Sequence, residues 1–148
     1  MTCSRRCVVA GGLALAACGP QGREVADGSV DAGEVISCSD APTPGASQVR
    51  IELSDVPALR TPGGAALVER PDVLLNVWVL HLMNGCFTAV WRVCTHGACD
   101  VEARENELYC PCHGSRFALD GAVLQGPATR ALRAFRVVRE GETLLLER

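Results

Sequence analysis

The chain reads as an all-β protein, a small antiparallel sandwich or barrel. Short segments rich in Val and Leu, separated by regularly placed turn signals and lacking a convincing helical period, carry that reading. Val49 to Leu53 alternates apolar and polar residues, as a half-buried strand does. Val73 to Met83 is a denser apolar run flanked by Pro71-Asp72 and Asn84-Gly85, and Phe87 to Val93 is its expected return strand. Asn-Gly between two apolar runs is a strong hairpin signal, because the tight turn asks both central residues for positive φ. Glu105-Asn106, Asp120-Gly121 and Glu140-Gly141 repeat the strand–turn–strand theme, although Thr129 to Val138 could host a short helix.

The 148 residues allow one modest domain or one domain plus a tail. Hydrophobic residues make up 48% and aromatics only 4%, so the core falls to Val, Leu and Ala. All 14 basic residues are Arg, and against 17 acids the net charge is −3. Nucleic acid is disfavoured as a partner, since its footprint is a basic excess. No apolar run reaches the roughly 20 residues that a membrane-spanning helix requires. Nine Cys in so short a chain point to disulfides, metal ligands or both.

The chain divides into three parts. Residues 1–17 form an export signal: Arg5-Arg6 before the apolar stretch Val8 to Ala17 resembles a twin-arginine leader, and Leu15-Ala16-Ala17-Cys18 resembles a bacterial lipobox. Cys18 would then carry lipid, anchoring the mature protein at the periplasmic or outer face of a bacterial cell membrane. Residues 18–48 are a Pro/Gly-containing acidic tether without apolar periodicity, expected to be extended. Residues 49–148 form the domain, whose own net charge is only −1. At about 100 residues it is near the lower comfortable size for a core, so a metal group or disulfide would help hold it.

Two segments carry the chemistry: Cys94-Thr95-His96-Gly97-Ala98-Cys99 and Cys110-Pro111-Cys112-His113-Gly114-Ser115. The chain has three His, and two of them stand within these Cys-bearing, Gly-containing loops. A structural zinc site accepts two Cys and two His, but finger-type sites favour Cys pairs followed by His pairs. Covalent haem attachment needs C-x-x-C-H, and Cys110-Pro111-Cys112-His113 is one residue short of it. A [2Fe–2S] centre with two Cys on one iron and two His on the other suits the mixed order best.

C-x-H followed after 13 residues by C-x-x-H resembles the Rieske iron–sulfur family signature. The resemblance implies a Rieske-type fold with a cluster-binding loop subdomain, Cys94 and Cys110 on one iron, and His96 and His113 on the other. Cys99 and Cys112 are similar to the disulfide pair of the high-potential members, the iron–sulfur subunits of quinol–cytochrome c oxidoreductases. Gly121 to Ala128 resembles their loop covering the cluster. Ser115 matches a position whose hydroxyl donates to a bridging sulfide, and Phe117 stands where the highest-potential members carry a donating Tyr. The resemblance thus implies a potential in the upper part of the Rieske range of roughly −150 to +300 mV, below that of the Tyr-bearing relatives.

The implied function is one-electron transfer, with a cytochrome as redox partner and, by the family's habit, quinol and a cytochrome b subunit. Gly97 departs from that pattern, where a bulky residue helps the head dock. Alternatives are a stand-alone exported lipoprotein carrier, the small Rieske subunit of another oxidoreductase of the arsenite oxidase kind, and a structural zinc module. Cys38 and Cys86 form a conceivable second disulfide, while Cys3 and Cys7 would leave with the signal. His81, Trp78 and Trp91 are expected to pack, and Arg130, Arg133, Arg136 and Arg139 to be separate solvated charges.

Overall fold

The computed structural model describes residues 41–148. The expected export signal, Cys18, Cys38 and most of the tether lie outside the described residues. The described part contains ten strands, two single 3-10 turns (Pro57–Arg60 and Pro71–Val73) and no α-helix, in line with the all-β expectation. None of its helical turns is long and apolar enough to cross a membrane.

Six strands make one curled antiparallel sheet: β1 (Gln48–Glu52), β2 (Ala65–Arg70), β3 (Leu75–His81), β4 (Phe87–Trp91), β9 (Ala134–Glu140) and β10 (Thr143–Glu147). Their spatial order is β1-β10-β9-β4-β3-β2. The short strands β5 (Glu102–Ala103), β6 (Leu108–Tyr109), β7 (Arg116–Phe117) and β8 (Val123–Gln125) make a second sheet in sequential order. That smaller sheet is inserted between β4 and β9, which themselves pair Ala89 with Phe135.

The sheets enclose two apolar interiors. Ile51, Leu59, Val77, Val79, Ala89, Phe135, Leu144 and Leu146 fill the larger one. Leu80, Val90, Val101, Leu108, Phe117 and Leu132 fill the other, together with Cys94 and Cys110. Strand β3 serves both, because successive side chains point to opposite faces. Val77 and Val79 enter the first interior, while Trp78 and Leu80 pack in the second. A strand buried on both faces needs no polar alternation, which is why the sequence there is a dense apolar run. By contrast β1 alternates buried and exposed positions as expected.

Local turns differ from expectation in instructive ways. The β3–β4 connection spans Leu82 to Cys86, and only Gly85 has positive φ (+85°). Asn84 contributes its side chain instead: Oδ1 accepts the Cys86 N–H at 3.1 Å, while Gly85 N–H closes the turn on Leu82 O at 2.9 Å. A longer loop thus removes the demand on Asn84. Pro71 opens a 3-10 turn, so the apolar run becomes strand only from Leu75. The segment Thr129 to Val138 enters β9 at Ala134 and forms no helix. Trp78 and Trp91 pack against the two interiors, and His81 is buried, stacked on Phe87 with centroids 4.2 Å apart.

Arg136 is a correction to the picture of separate solvated charges. It reaches Glu147 at 3.1 Å, donates to Ala41 O at 2.6 Å and also contacts the Thr43 hydroxyl. Glu147 in turn accepts the Thr43 N–H at 2.6 Å and its hydroxyl at 2.8 Å. Hydrogen bonding to the sheet therefore begins ahead of β1, within the stretch expected to be tether.

The Thr43 backbone N–H holds the Glu147 carboxyl below the usual carboxylate range, with the Thr43 hydroxyl and Arg136 acting the same way and burial opposing them. A depressed native value stabilises the fold above the unfolded carboxyl value of about 4.3, and that contribution is lost as pH falls through the lower native value. Glu147→Gln is accordingly expected to be less stable than the native chain at neutral pH. Denaturant titrations should show the gap closing as pH falls below about 4.3.

Candidate metal centre

The two Cys/His segments form loops with the same hydrogen-bond scheme. In the first, Cys94 N–H donates to Cys99 O (2.7 Å) and Ala98 N–H returns to Cys94 O (3.2 Å). In the second, Cys110 N–H donates to Ser115 O (2.8 Å) and Gly114 N–H returns to Cys110 O (3.0 Å). The fifth residue of each loop has positive φ, +53° at Ala98 and +78° at Gly114. Each loop so folded starts with a buried Cys and exposes its His: Cys94 and Cys110 are 3% and 1% accessible, whereas His96 and His113 are exposed.

The loops are joined by a Cys99–Cys112 disulfide with Cα atoms 6.5 Å apart. This is the pair singled out in the sequence. Across the junction the His96 and His113 rings meet edge to face, with centroids 4.8 Å apart. Behind them Cys94 and Cys110 are the free cysteines of the described residues. Burial pushes the Cys110 thiol up, and the Cys94 thiol beside it adds to the rise. The backbone N–H groups of Cys112 and His113 pull the other way, as donors to the sulfur. Two buried, adjoining thiols are poor anions on their own, and a soft cation would hold them as thiolates.

Among the described residues no three or more His, Cys, Asp or Glu side chains gather where one metal ion could hold them. The donors come instead as a pair of sulfurs inside and a pair of imidazoles outside. That division suits a two-metal unit better than a tetrahedral zinc ion. The residues present therefore fit a [2Fe–2S] group with mixed ligation.

The surroundings complete the site. Ser115, fully buried, accepts the Ala128 N–H on its hydroxyl at 3.0 Å, tying the second loop to the segment after the cis Gly126-Pro127 bond. The Thr95 hydroxyl donates to Arg130 O at 2.5 Å and ties the first loop to the same region. Phe117 is wholly buried in the interior that also holds Cys94 and Cys110. Gly97 faces His113: a Cβ there would lie 3.8 Å from Cε1, in ordinary contact, so the glycine leaves that side of the ring without a side chain over it. Cys86 is disulfide-bonded, and Cys38, its candidate partner, lies outside the described residues. Sequence reading missed Thr95 and Ala98; the matching five-residue turns could have pointed to Ala98, but nothing local marks Thr95.

An all-β scaffold presenting two such loops defines an iron–sulfur protein of the Rieske type. The family description "Rieske [2Fe-2S] domain" matches residues 47–136, more than half the chain. The cytochrome b6-f complex iron-sulfur subunit of Chlorobaculum tepidum is 31% identical over 107 residues, 69% of this chain and 58% of that protein. The corresponding subunit of Chlorobaculum thiosulfatiphilum is 35% identical over 67 residues, 44% of this chain and 37% of the relative. The crystal structure of the plasma membrane Rieske protein PetC3 from Synechocystis PCC 6803 superposes with a TM-score of 0.56 at 31% identity, covering 69% of this chain and 99% of that one. The chain belongs to the Rieske [2Fe-2S] domain family, and its cofactor is a [2Fe–2S] cluster. It spans between 37% and 58% of the length of these two curated relatives.

The twin loops give a direct test. A Cβ on Gly114 would meet nothing within 4 Å, and the equivalent position already carries Ala98. Gly114→Ala should cost about 1 kcal/mol for the left-handed backbone alone, read by denaturant unfolding, and should retain full iron content.

Proposed function

We propose that this protein is an exported one-electron carrier in which Cys94 and Cys110 hold one iron of the cluster and His96 and His113 the other. The observation that carries this reading is the pair of buried, adjoining thiols set behind two exposed imidazoles on disulfide-linked twin loops. When bound, the cluster supplies a site that gains and gives up one electron. Neutral imidazoles in place of two thiolates leave less negative charge at that site and favour the reduced state. The exposed edges of His96 and His113 offer a partner the nearest approach, while the apolar interior keeps water from the sulfurs. Cys99 and Cys112 hold the two loops together, as suits an oxidising compartment.

Ser115 and Phe117 are the tuning residues of this reading. The Ser115 oxygen already accepts from Ala128, so its O–H is free to donate to a sulfur and to stabilise added negative charge. Phe117 offers no such donor. The electron acceptor is a cytochrome, and the donor a quinol working through a cytochrome b subunit. The relatives, named as cytochrome b6-f complex subunits, support that pairing. A second reading, the stand-alone carrier, is favoured by Gly97, which adds no bulky side chain beside His113 for docking. Export through residues 1–17 and lipidation of Cys18 belong to both readings.

Purified protein should contain iron and acid-labile sulfide in equal amounts and, when reduced, give an EPR spectrum with the low average g value of mixed Cys/His ligation. Zinc without sulfide would overturn the assignment. Voltammetry should find Ser115→Ala lower and Phe117→Tyr higher in potential, each by about 40–90 mV, the equivalent of about 1–2 kcal/mol for one hydrogen bond at one electron. Reduction of the cluster by quinol in isolated membranes, with co-purification of a cytochrome b, is expected; no reduction by quinol would select the stand-alone carrier. Mass spectrometry should find lipid on Cys18, and none after Cys18→Ser.

A further inference from the structure

We propose that Arg92 is a positioning residue that fixes the ligand loop Cys94–Cys99 on the six-stranded sheet through a two-armed ion pair with Glu69 and Asp100. This deepens the Rieske reading and rests on it. Arg92 directly follows β4 and stands two residues before Cys94. Its side chain is three-quarters buried, with 25% exposed. One guanidinium nitrogen meets Glu69 on β2 at 3.0 Å, and the other meets Asp100, next to Cys99, at 3.0 Å. The main chain repeats the linkage: Arg92 N–H donates to Asn76 O on β3 at 3.1 Å, and Arg92 O accepts the Val101 N–H at 2.8 Å. Val93 and Asp100 form an isolated antiparallel bridge. The Trp78 indole N–H donates to Val101 O at 2.8 Å.

Both ends of the ligand loop are thus gathered at one residue, and the loop's own fabric is thin. Inside it there are two backbone hydrogen bonds, with Ala98 in the left-handed region and His96 at the exposed tip. The planar guanidinium reaches two carboxylates on separate segments with fixed geometry, which a single ammonium cannot reproduce. Energy alone does not account for the arrangement. Glu69 and Asp100 are 54% and 51% exposed, and pairs of that kind contribute only about 0.2–1 kcal/mol. The consequence lies in where His96 and Cys94 are held.

Holoprotein variants Arg92→Met, Arg92→Lys and Asp100→Asn test this, with Glu140→Gln as a control that removes one charge from an exposed carboxylate on β9. The readouts are hydrogen exchange of peptides covering residues 94–101, the EPR line width of the reduced cluster and the potential. Arg92→Met should speed exchange in that segment about tenfold while β3 and β10 keep native protection, and should broaden the EPR lines. Arg92→Lys should restore part of both. Should Arg92→Met not fold, Asp100→Asn decides, because its carboxylate is half exposed; about threefold faster exchange is expected there and none for Glu140→Gln. Native exchange and native line width in Arg92→Met, or in Asp100→Asn if the former does not fold, would overturn the proposal. Absence of cluster from the unsubstituted protein would instead overturn the Rieske reading, so the two failures are told apart.

Discussion

Two Cys/His loops that stand apart in the chain are brought to one place, and much of the structure around them serves that convergence. No strand joins the loops directly; β5 and β6 and their turn lie between them. Convergence is achieved by the bridge from Cys99 to Cys112, by side-chain hydrogen bonds from Thr95 and Ser115 to the covering segment, and by the shared interior around Phe117. The bridge ties the end of the first loop to the middle of the second, while Thr95 holds the start of the first and Ser115 the end of the second. Together they turn two short pieces of irregular chain into one rigid receptacle.

That receptacle is polarised. Its sulfur side is sealed by Val101, Leu108, Phe117 and Leu132, while its nitrogen side opens outward at His96, Gly97 and His113. The inner side is where desolvation favours metal-bound thiolates over free ones, and the outer side is where another molecule can come near. Matched hydrogen-bond patterns in the two loops produce this directionality twice over. The same backbone turn sends its first side chain inward and its middle side chains outward.

Much of this is legible in the sequence because the informative residues are close together. The Cys/His loops and the alternation around Ile51 are local patterns, the pairing of Cys99 with Cys112 is what the family resemblance implies, and the structure reproduces all three. The dense run through Val77 and Val79 reads as one arm of a hairpin, but not as a strand whose two faces serve two interiors. What escaped reading depends on distant residues. Arg92 finds Glu69 across two strands, Thr95 finds Arg130, and Arg136 finds Ala41, so nothing adjacent in the chain marks any of them. Asn84 escaped for another reason: its side chain substitutes for a backbone conformation, and loop length decides between the two.

The common wall formed by β3 has a consequence for how the molecule comes apart. With Val77 and Val79 on one side and Trp78 and Leu80 on the other, neither lobe owns the strand, so loss of one lobe strips apolar cover from the other. Global melting is thereby expected to take both lobes together, whereas an opening confined to a single loop leaves this shared wall in place.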